Sequence, residues 1–189
     1  MSTARRLHYS YSDYLEALEQ SALKLEYCDG EIYAMAGGTR AHAQLAATVI
    51  GLFYRALPRC CKVATSDLKV RVEATDLSTF PDVSVVCGEA VASALDSNAL
   101  TNPSLLVEVT SRSTEDYDRG DKLAHYKQIP ALRAVLIVSH RRTQITLIER
   151  LADGWSERTY SANDTVSLTN PAFELSVNEI YEGIELDPK

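Results

Sequence analysis

The sequence predicts a mixed α+β (α/β) fold, a central mixed β-sheet flanked by helices and entered through an N-terminal β-hairpin. Three observations predict it. The apolar runs PDVSVVC, LLVEV and AVLIVS are rich in β-branched residues and read as buried strands. Apolar residues at helical spacing mark two stretches in the first third of the chain. Strands and helices then mix without strict βαβ alternation. At 189 residues the chain has room for one domain, 1–189, with a sizeable core.

From the N-terminus, the two arginines Arg5 and Arg6 precede no apolar stretch, so no secretory signal is read. Ser10 to Leu18 reads as a short amphipathic helix, capped by Ser10 or Ser12, with Tyr14, Leu15 and Leu18 facing inward. In LKLEYCDGEIYAM, Asp29–Gly30 between two alternating runs is a two-residue hairpin signal. That turn pairs Cys28 with Glu31 and Glu26 with Tyr33. Leu25, Tyr27, Ile32 and Ala34 then form the core face, opposite Glu26, Glu31 and Tyr33. Gly37–Gly38–Thr39 opens a longer helix over 40–56 with Leu45, Val49, Leu52 and Phe53 as its apolar stripe. His42 lies at its start, either as a satisfied cap or core residue or as a site-edge residue aimed at substrate.

Pro58 stops that helix. Cys61 to Ala64 and Leu68 to Val72 read as short strands, with Lys69 and Arg71 pointing outward. Glu73 to Thr79 reads as a polar turn, and Pro81–Asp82 heads the next buried strand. Ser93 to Asn102 reads as a loose connection. Leu105 to Thr110 alternates, with Leu105, Val107 and Val109 on one face and Leu106, Glu108 and Thr110 on the other. Ser113, with Asp116, has the form of a capping box for the following helix, and Pro130 marks where it has ended. Asp118, Lys122 and Tyr126 share one face of that helix. Ala134 to Ser139 is a further central strand, Gln144 to Arg150 pairs with it, Trp155 to Tyr160 is an edge strand, and Val177 to Tyr181 is a short helix.

Composition narrows the function classes. Lys and Arg number 19 against 26 Asp and Glu, a net charge of −7 that argues against a broad phosphate-binding surface. A local basic groove around an acidic site remains compatible with it. No apolar run approaches the roughly 20 residues of a membrane span, so no membrane association is expected and a cytoplasmic location is. Cys28, Cys60, Cys61 and Cys87 show no C-x-x-C spacing, and adjacent Cys60–Cys61 is a poor disulfide and a poor zinc pair. All four are expected to be reduced thiols.

Chemistry concentrates between Asp82 and Tyr126. Glu108 sits within a strand that otherwise avoids charge, and a buried carboxylate costs several kcal/mol unless it is paired or binds a metal. Asp82 and Glu108, from neighbouring strands, form a candidate site for one hard divalent cation, Mg2+ or Mn2+, with the Thr110 carbonyl as a further oxygen ligand. A bound cation lowers the pKa of its water and stabilises charge on a phosphoryl oxygen. Lys122 then orients or deprotonates the attacking water, or holds the phosphate. Against this stands a plain alternative, with Asp82 a turn residue at a strand start and Asp118–Lys122 a surface ion pair.

The run PDVSVVCGE, then NPSLLVEVTSRST, then YDRGDKLAHYKQ before an apolar strand resembles the Uma2 family, an endonuclease-like domain also known as DUF820. The hairpin YCDGEIYAM followed by His42 is similar to that family's N-terminal half. The resemblance implies a restriction-endonuclease-like fold of the PD-(D/E)XK superfamily and a magnesium-dependent nuclease site acting on DNA. Pro81–Asp82 answers to the PD element and Glu108 to the second acid. Thr110 stands at the motif's lysine position, and Lys122 of the following helix answers to the displaced lysine. Glu26, in preference to Glu31, is a further acid for the site. The resemblance also implies a homodimer, for which the strands of 134–160 offer a sheet edge. Competing readings are a catalytically silent nucleic-acid- or protein-binding module with the same fold, and a hydrolase of small phosphorylated molecules.

Overall fold

The structure is a computed structural model, and it describes residues 7–35 and 37–187. Arg5 and Arg6 lie outside the described residues. In chain order come α1 (Tyr11–Gln20), β1 (Leu25–Cys28), β2 (Glu31–Ala34), α2 (Arg40–Ala56), β3 (Cys61–Thr65) and β4 (Lys69–Val72). A 3-10 turn precedes β5 (Leu77–Thr79), β6 (Val83–Cys87), β7 (Ala92–Ser93), β8 (Asp96–Leu100) and β9 (Leu105–Val109). Then follow α3 (Glu115–Arg119), α4 (Asp121–Tyr126), β10 (Ala134–Val138), β11 (Gln144–Leu151), β12 (Gly154–Ser161), β13 (Thr165–Thr169), β14 (Ala172–Ser176) and α5 (Val177–Tyr181).

Among the described residues the strands form two six-stranded sheets and a hairpin, β13–β14. The central sheet runs β12-β11-β10-β9-β6-β3, and the second runs β2-β1-β5-β4-β8-β7. In the central sheet β9 and β10 are parallel and all other pairs antiparallel, so the sheet is mixed, as expected. A parallel pair needs a crossover, and α3 and α4 supply it.

Alternation in β9 decides what each face holds. Leu105, Val107 and Val109 join Leu45, Val49, Phe53 and the β13–β14 side chains in one core. Leu106 joins Leu123, Tyr126, Val135 and Ile137 in a second core, beneath Val70, Val72 and Leu77 of the second sheet. Glu108 shares the second face. The central sheet is therefore covered by α2, α5 and a hairpin on one side, and by α4 and a second sheet on the other.

Several expectations hold in detail. Ser10 caps α1 in a capping box with Asp13. Asp29–Gly30 is the hairpin turn, with Cys28 opposite Glu31 and Glu26 opposite Tyr33. Thr39 caps α2 by accepting from the His42 backbone N–H. The edge strand at β12 and the helix at α5 are also present.

Others need correction. Lys69 and Arg71 do not point outward; they are 6% and 4% exposed. Each is neutralised inside: Lys69 pairs with Asp96 at 2.6 Å, while Arg71 pairs with Asp76 and lies 4.0 Å over the Tyr11 ring. Residues 77–79 and 96–100, read as turn and loose connection, are strands that complete the second sheet. They lack a continuous apolar run, and each has one pairing partner far away in sequence, β1 for 77–79 and β4 for 96–100. The helix after β9 is not capped by Ser113, whose hydroxyl bonds Ser111 instead. It is broken at Gly120, where a Cβ would stand 2.9 Å from the Asp116 carbonyl oxygen. Finally, the thiols are not all reduced: Cys61 and Cys87, directly opposite in the β3–β6 ladder, form a disulfide, leaving Cys28 and Cys60 free. Cross-strand pairing brought them together, which spacing along the chain could not indicate.

Candidate active site

Asp82 and Glu108 reach one place because β6 and β9 are antiparallel neighbours, with Val83 opposite Val107. The start of β6 therefore lies beside the end of β9, outside the carboxyl end of a parallel strand, where open sheets place ligand crevices. Asp82 Oδ2 accepts from the Val109 backbone N–H at 2.7 Å, tying the two strands at that end. Asp82, Glu108, His42, Asp118 and Lys122 all line one cavity of about 600 Å3.

His42, from the first turn of α2, donates its Nε2–H to Asp82 Oδ2 at 3.2 Å. That bond is the main reason the imidazolium is held above its usual pKa, against the opposing effect of burial. Gly38 makes room for the ring, since a Cβ there would stand 2.6 Å from His42 Nδ1. His42 thus lines the cavity and contacts Asp82, besides lying in the capped first turn of α2.

Lys122 is 4% exposed and points into the cluster, so it is no surface cation. Its Nζ lies 3.0 Å from Glu108 Oε1, 3.6 Å from Glu26 Oε1 and 3.8 Å from Asp118 Oδ1. Burial opposes its charge, but Glu108 above all holds its pKa well above the usual lysine range. Glu108 also accepts from the buried Tyr126 hydroxyl. Burial pushes the Glu108 carboxyl up to about 8, and Asp82 and Asp118 push the same way while Lys122 opposes them. Burial likewise raises Asp118. Glu26 is held from behind by the Thr79 hydroxyl and, at 3.4 Å, the Phe80 N–H.

The cluster brings together Asp82, Glu108, Lys122, Glu26 and His42. It does not bring in the Glu31 or Thr110 side chains. Glu31 accepts from the Tyr33 hydroxyl at the hairpin edge. Thr110 is fully buried, and its hydroxyl shares a 2.7 Å hydrogen bond with His140 Nδ1. The expectation for Thr110 concerned its backbone carbonyl and not this side chain; the preceding residue, Val109, lines the cavity. Sequence reasoning missed Val109 and Thr79. Tyr126 was visible as the third member of the Asp118–Lys122 stripe, though not as the donor to Glu108.

Chemically, four carboxyl groups (Asp82, Glu108, Asp118 and Glu26) stand around the Lys122 ammonium and the His42 imidazole. Among the described residues no three His, Cys, Asp or Glu side chains stand together as a ready-made metal cage. A magnesium site does not require one, because Mg2+ keeps several waters and takes one or two carboxylates. Protein contacts engage Oδ2 of Asp82 and Oε1 of Glu108. Their second oxygens are not among the buried polar atoms that lack partners. An all-oxygen donor set in which acidic groups outnumber basic ones fits a hard divalent cation.

Comparison with known proteins gives a consistent picture. The Uma2 family profile, described as "Putative restriction endonuclease", matches residues 11–178. The protein slr1290 of Synechocystis sp. (strain ATCC 27184 / PCC 6803 / Kazusa), described as uncharacterized, is 37% identical over 177 residues, covering 93% of this chain and 92% of that one. A second Synechocystis protein, sll1609, also described as uncharacterized, is 28% identical over 143 residues, covering 75% and 81%. A crystal structure from Anabaena variabilis ATCC 29413, titled as "a putative nuclease belonging to DUF820", superposes with a TM-score of 0.75. It covers 92% of this chain and 98% of that one at 14% identity, which speaks to the fold alone. Among the described residues no helix is long and apolar enough to cross a membrane.

Proposed function

The chain belongs to the Uma2 family, and on that premise we propose that it is a divalent-metal-dependent endonuclease hydrolysing phosphodiester bonds in DNA. The observation that carries this reading is the convergence of Asp82, Glu108 and Lys122 at one end of neighbouring strands, in one cavity. A buried lysine against a buried glutamate is costly to maintain. A hydrolytic site gives both a role.

Asp82 and Glu108 would hold Mg2+ or Mn2+ through their carboxylate oxygens. The ion supplies a water of lowered pKa and charge stabilisation at the phosphoryl oxygen. The chain's own residues do the rest. His42 and the Val109 N–H fix the Asp82 carboxylate, and Tyr126 fixes that of Glu108. Glu26 and Asp118 keep the Lys122 ammonium charged and aimed at the cavity. Lys122 holds the phosphate or orients the attacking water. In such a hydrolysis the attacking water's oxygen would bond to phosphorus as the P–O bond to the leaving sugar oxygen breaks. One water proton ends on the released sugar hydroxyl, the other leaves to solvent. The same reading takes the protein as a homodimer, with the open hydrogen-bonding edge of β12 as its pairing surface.

The test is a Mg2+ and Mn2+ titration with supercoiled plasmid, single-stranded DNA and RNA, beside the double variant Asp82→Ala, Glu108→Ala. Metal-dependent DNA cleavage that the double variant lacks is expected. Metal-independent cleavage, or cleavage that survives in the double variant, contradicts the proposal.

A further inference from the structure

A second cavity, of about 710 Å3, adjoins the first and shares Met35, Thr114, Asp118 and Lys122 with it. Lys122 thus stands on the wall between two chambers. The second is lined in addition by Tyr33, Tyr117, Cys28, Asp121 and His125.

Its lining differs in kind. Tyr33 and Tyr117 are 49% and 36% exposed, unusual for rings bordering a cavity. Tyr117 borders this cavity together with Glu26, Asp118 and Lys122 of the cluster. The ionisable groups are mostly acidic: Glu26, Asp118 and Asp121 stand against Lys122 and His125. Such a wall repels a second phosphate and accepts an uncharged ring. The volume lies within the roughly 300–1,000 Å3 that enclose one small molecule. A phosphate held at Lys122 has its own nucleoside within reach of this chamber.

We propose that the second cavity receives an unpaired nucleobase next to the scissile phosphate, stacked on Tyr117. The preferred substrate is therefore single-stranded or locally unpaired nucleic acid. The proposal rests on reading the first cavity as the phosphodiester site. A base inside an intact duplex is stacked and paired, and enters a side pocket only by leaving the helix. Aromatic rings bind unpaired bases of any sequence through their faces. The acidic net charge of −7 is also poorly suited to tracking a duplex backbone.

The experiment uses a short deoxyoligonucleotide with one 2-aminopurine, as a single strand and annealed to its complement, with Ca2+ present. Binding is followed by anisotropy and by 2-aminopurine quenching for wild type, Tyr117→Leu and Tyr117→Phe. The single strand should bind more tightly than the duplex and be quenched. Tyr117→Leu should weaken that binding by about tenfold, whereas Tyr117→Phe, which keeps the ring, should retain it. Equal affinity for both forms, absent binding or quenching, or an unaffected Tyr117→Leu overturns the proposal. Cleavage of the same strands in Mn2+ separates the two readings. Ring-dependent binding without cleavage upholds the base pocket and sinks the endonuclease. Cleavage of duplex plasmid at equal rates by wild type and Tyr117→Leu does the reverse.

Discussion

The ammonium of Lys122 stands 3.0 Å from the carboxylate of Glu108, although a helix broken at Gly120 separates them along the chain. Asp118, before that break, still lies 3.8 Å from the same ammonium at the i, i+4 spacing. The break redirects the helix without parting the stripe. Removing the lysine would leave Glu108, Glu26 and Asp118 facing one another. Lys122→Ala should therefore cost about 3–5 kcal/mol above about pH 8, where the Glu108 carboxyl is ionised, as losing one partner of a buried pair does. An exposed i, i+4 pair would be worth only about 0.3–0.5 kcal/mol. Urea unfolding distinguishes the two. Part of the loss should return on adding Mn2+, because a bound cation replaces the missing charge.

Glu108 gives the fold a pH dependence of defined sign. Its carboxyl has an ordinary value of 4.5 and is pushed up to about 8 by burial. Its contribution to stability is then fully present below the unfolded value and is lost as pH rises through the folded one. The metal-free protein should lose stability relative to Glu108→Gln between about pH 4.5 and about 8. Denaturation midpoints of both proteins across that window check it. A difference that stays constant, or grows in favour of wild type, contradicts the assignment.

Gly38 controls the other acid. A Cβ there meets the His42 ring at 2.6 Å, so Gly38→Ala must displace the imidazole from its 3.2 Å bond to Asp82. The His42 pKa should fall, since that hydrogen bond is the main reason it is raised. Imidazole NMR titration reads this directly. Gly37, where a Cβ would meet nothing, is the control, and Gly37→Ala should leave the titration unchanged.

The edge of β12 predicts self-association. Light scattering at tens of micromolar should give the mass of a dimer, and a proline at Thr159 on that edge should reduce it. A strict monomer contradicts the pairing.

Much of the fold was legible because local chemistry dictated it. Asp29–Gly30 set the hairpin register, Thr39 set the start of α2, and alternation in LLVEV assigned each residue of β9 to its core. The second sheet was not legible. Its strands at 77–79 and 96–100 are short and partly polar, and each is tied into the sheet by one partner distant in sequence, β1 for the first and β4 for the second. The same blindness hid the burial of Lys69 and Arg71, whose neutralising acids, Asp96 and Asp76, lie within or just before those segments, and the Cys61–Cys87 bond. Within the site, Asp82, Glu108 and Lys122 were readable as residues, and Glu26 was set on one hairpin face by register. Thr79, which holds Glu26, carried no signal of its own. Thr110 was assigned for its backbone carbonyl; its side chain turns to His140, and its neighbour Val109 borders the cavity.

The central claim is that this cluster hydrolyses phosphodiesters with Lys122 as a working cation. Its most direct test is cleavage of supercoiled plasmid at fixed Mg2+ by wild type, Lys122→Ala and Lys127→Ala, at a temperature where all three are folded. Lys127 lies at the end of α4 outside the cavity lining and serves as control. Wild type and Lys127→Ala should cut at similar rates, with Lys122→Ala slower by about 100-fold or more, as when a positioned catalytic group is lost. Equal rates for wild type and Lys122→Ala would contradict the account.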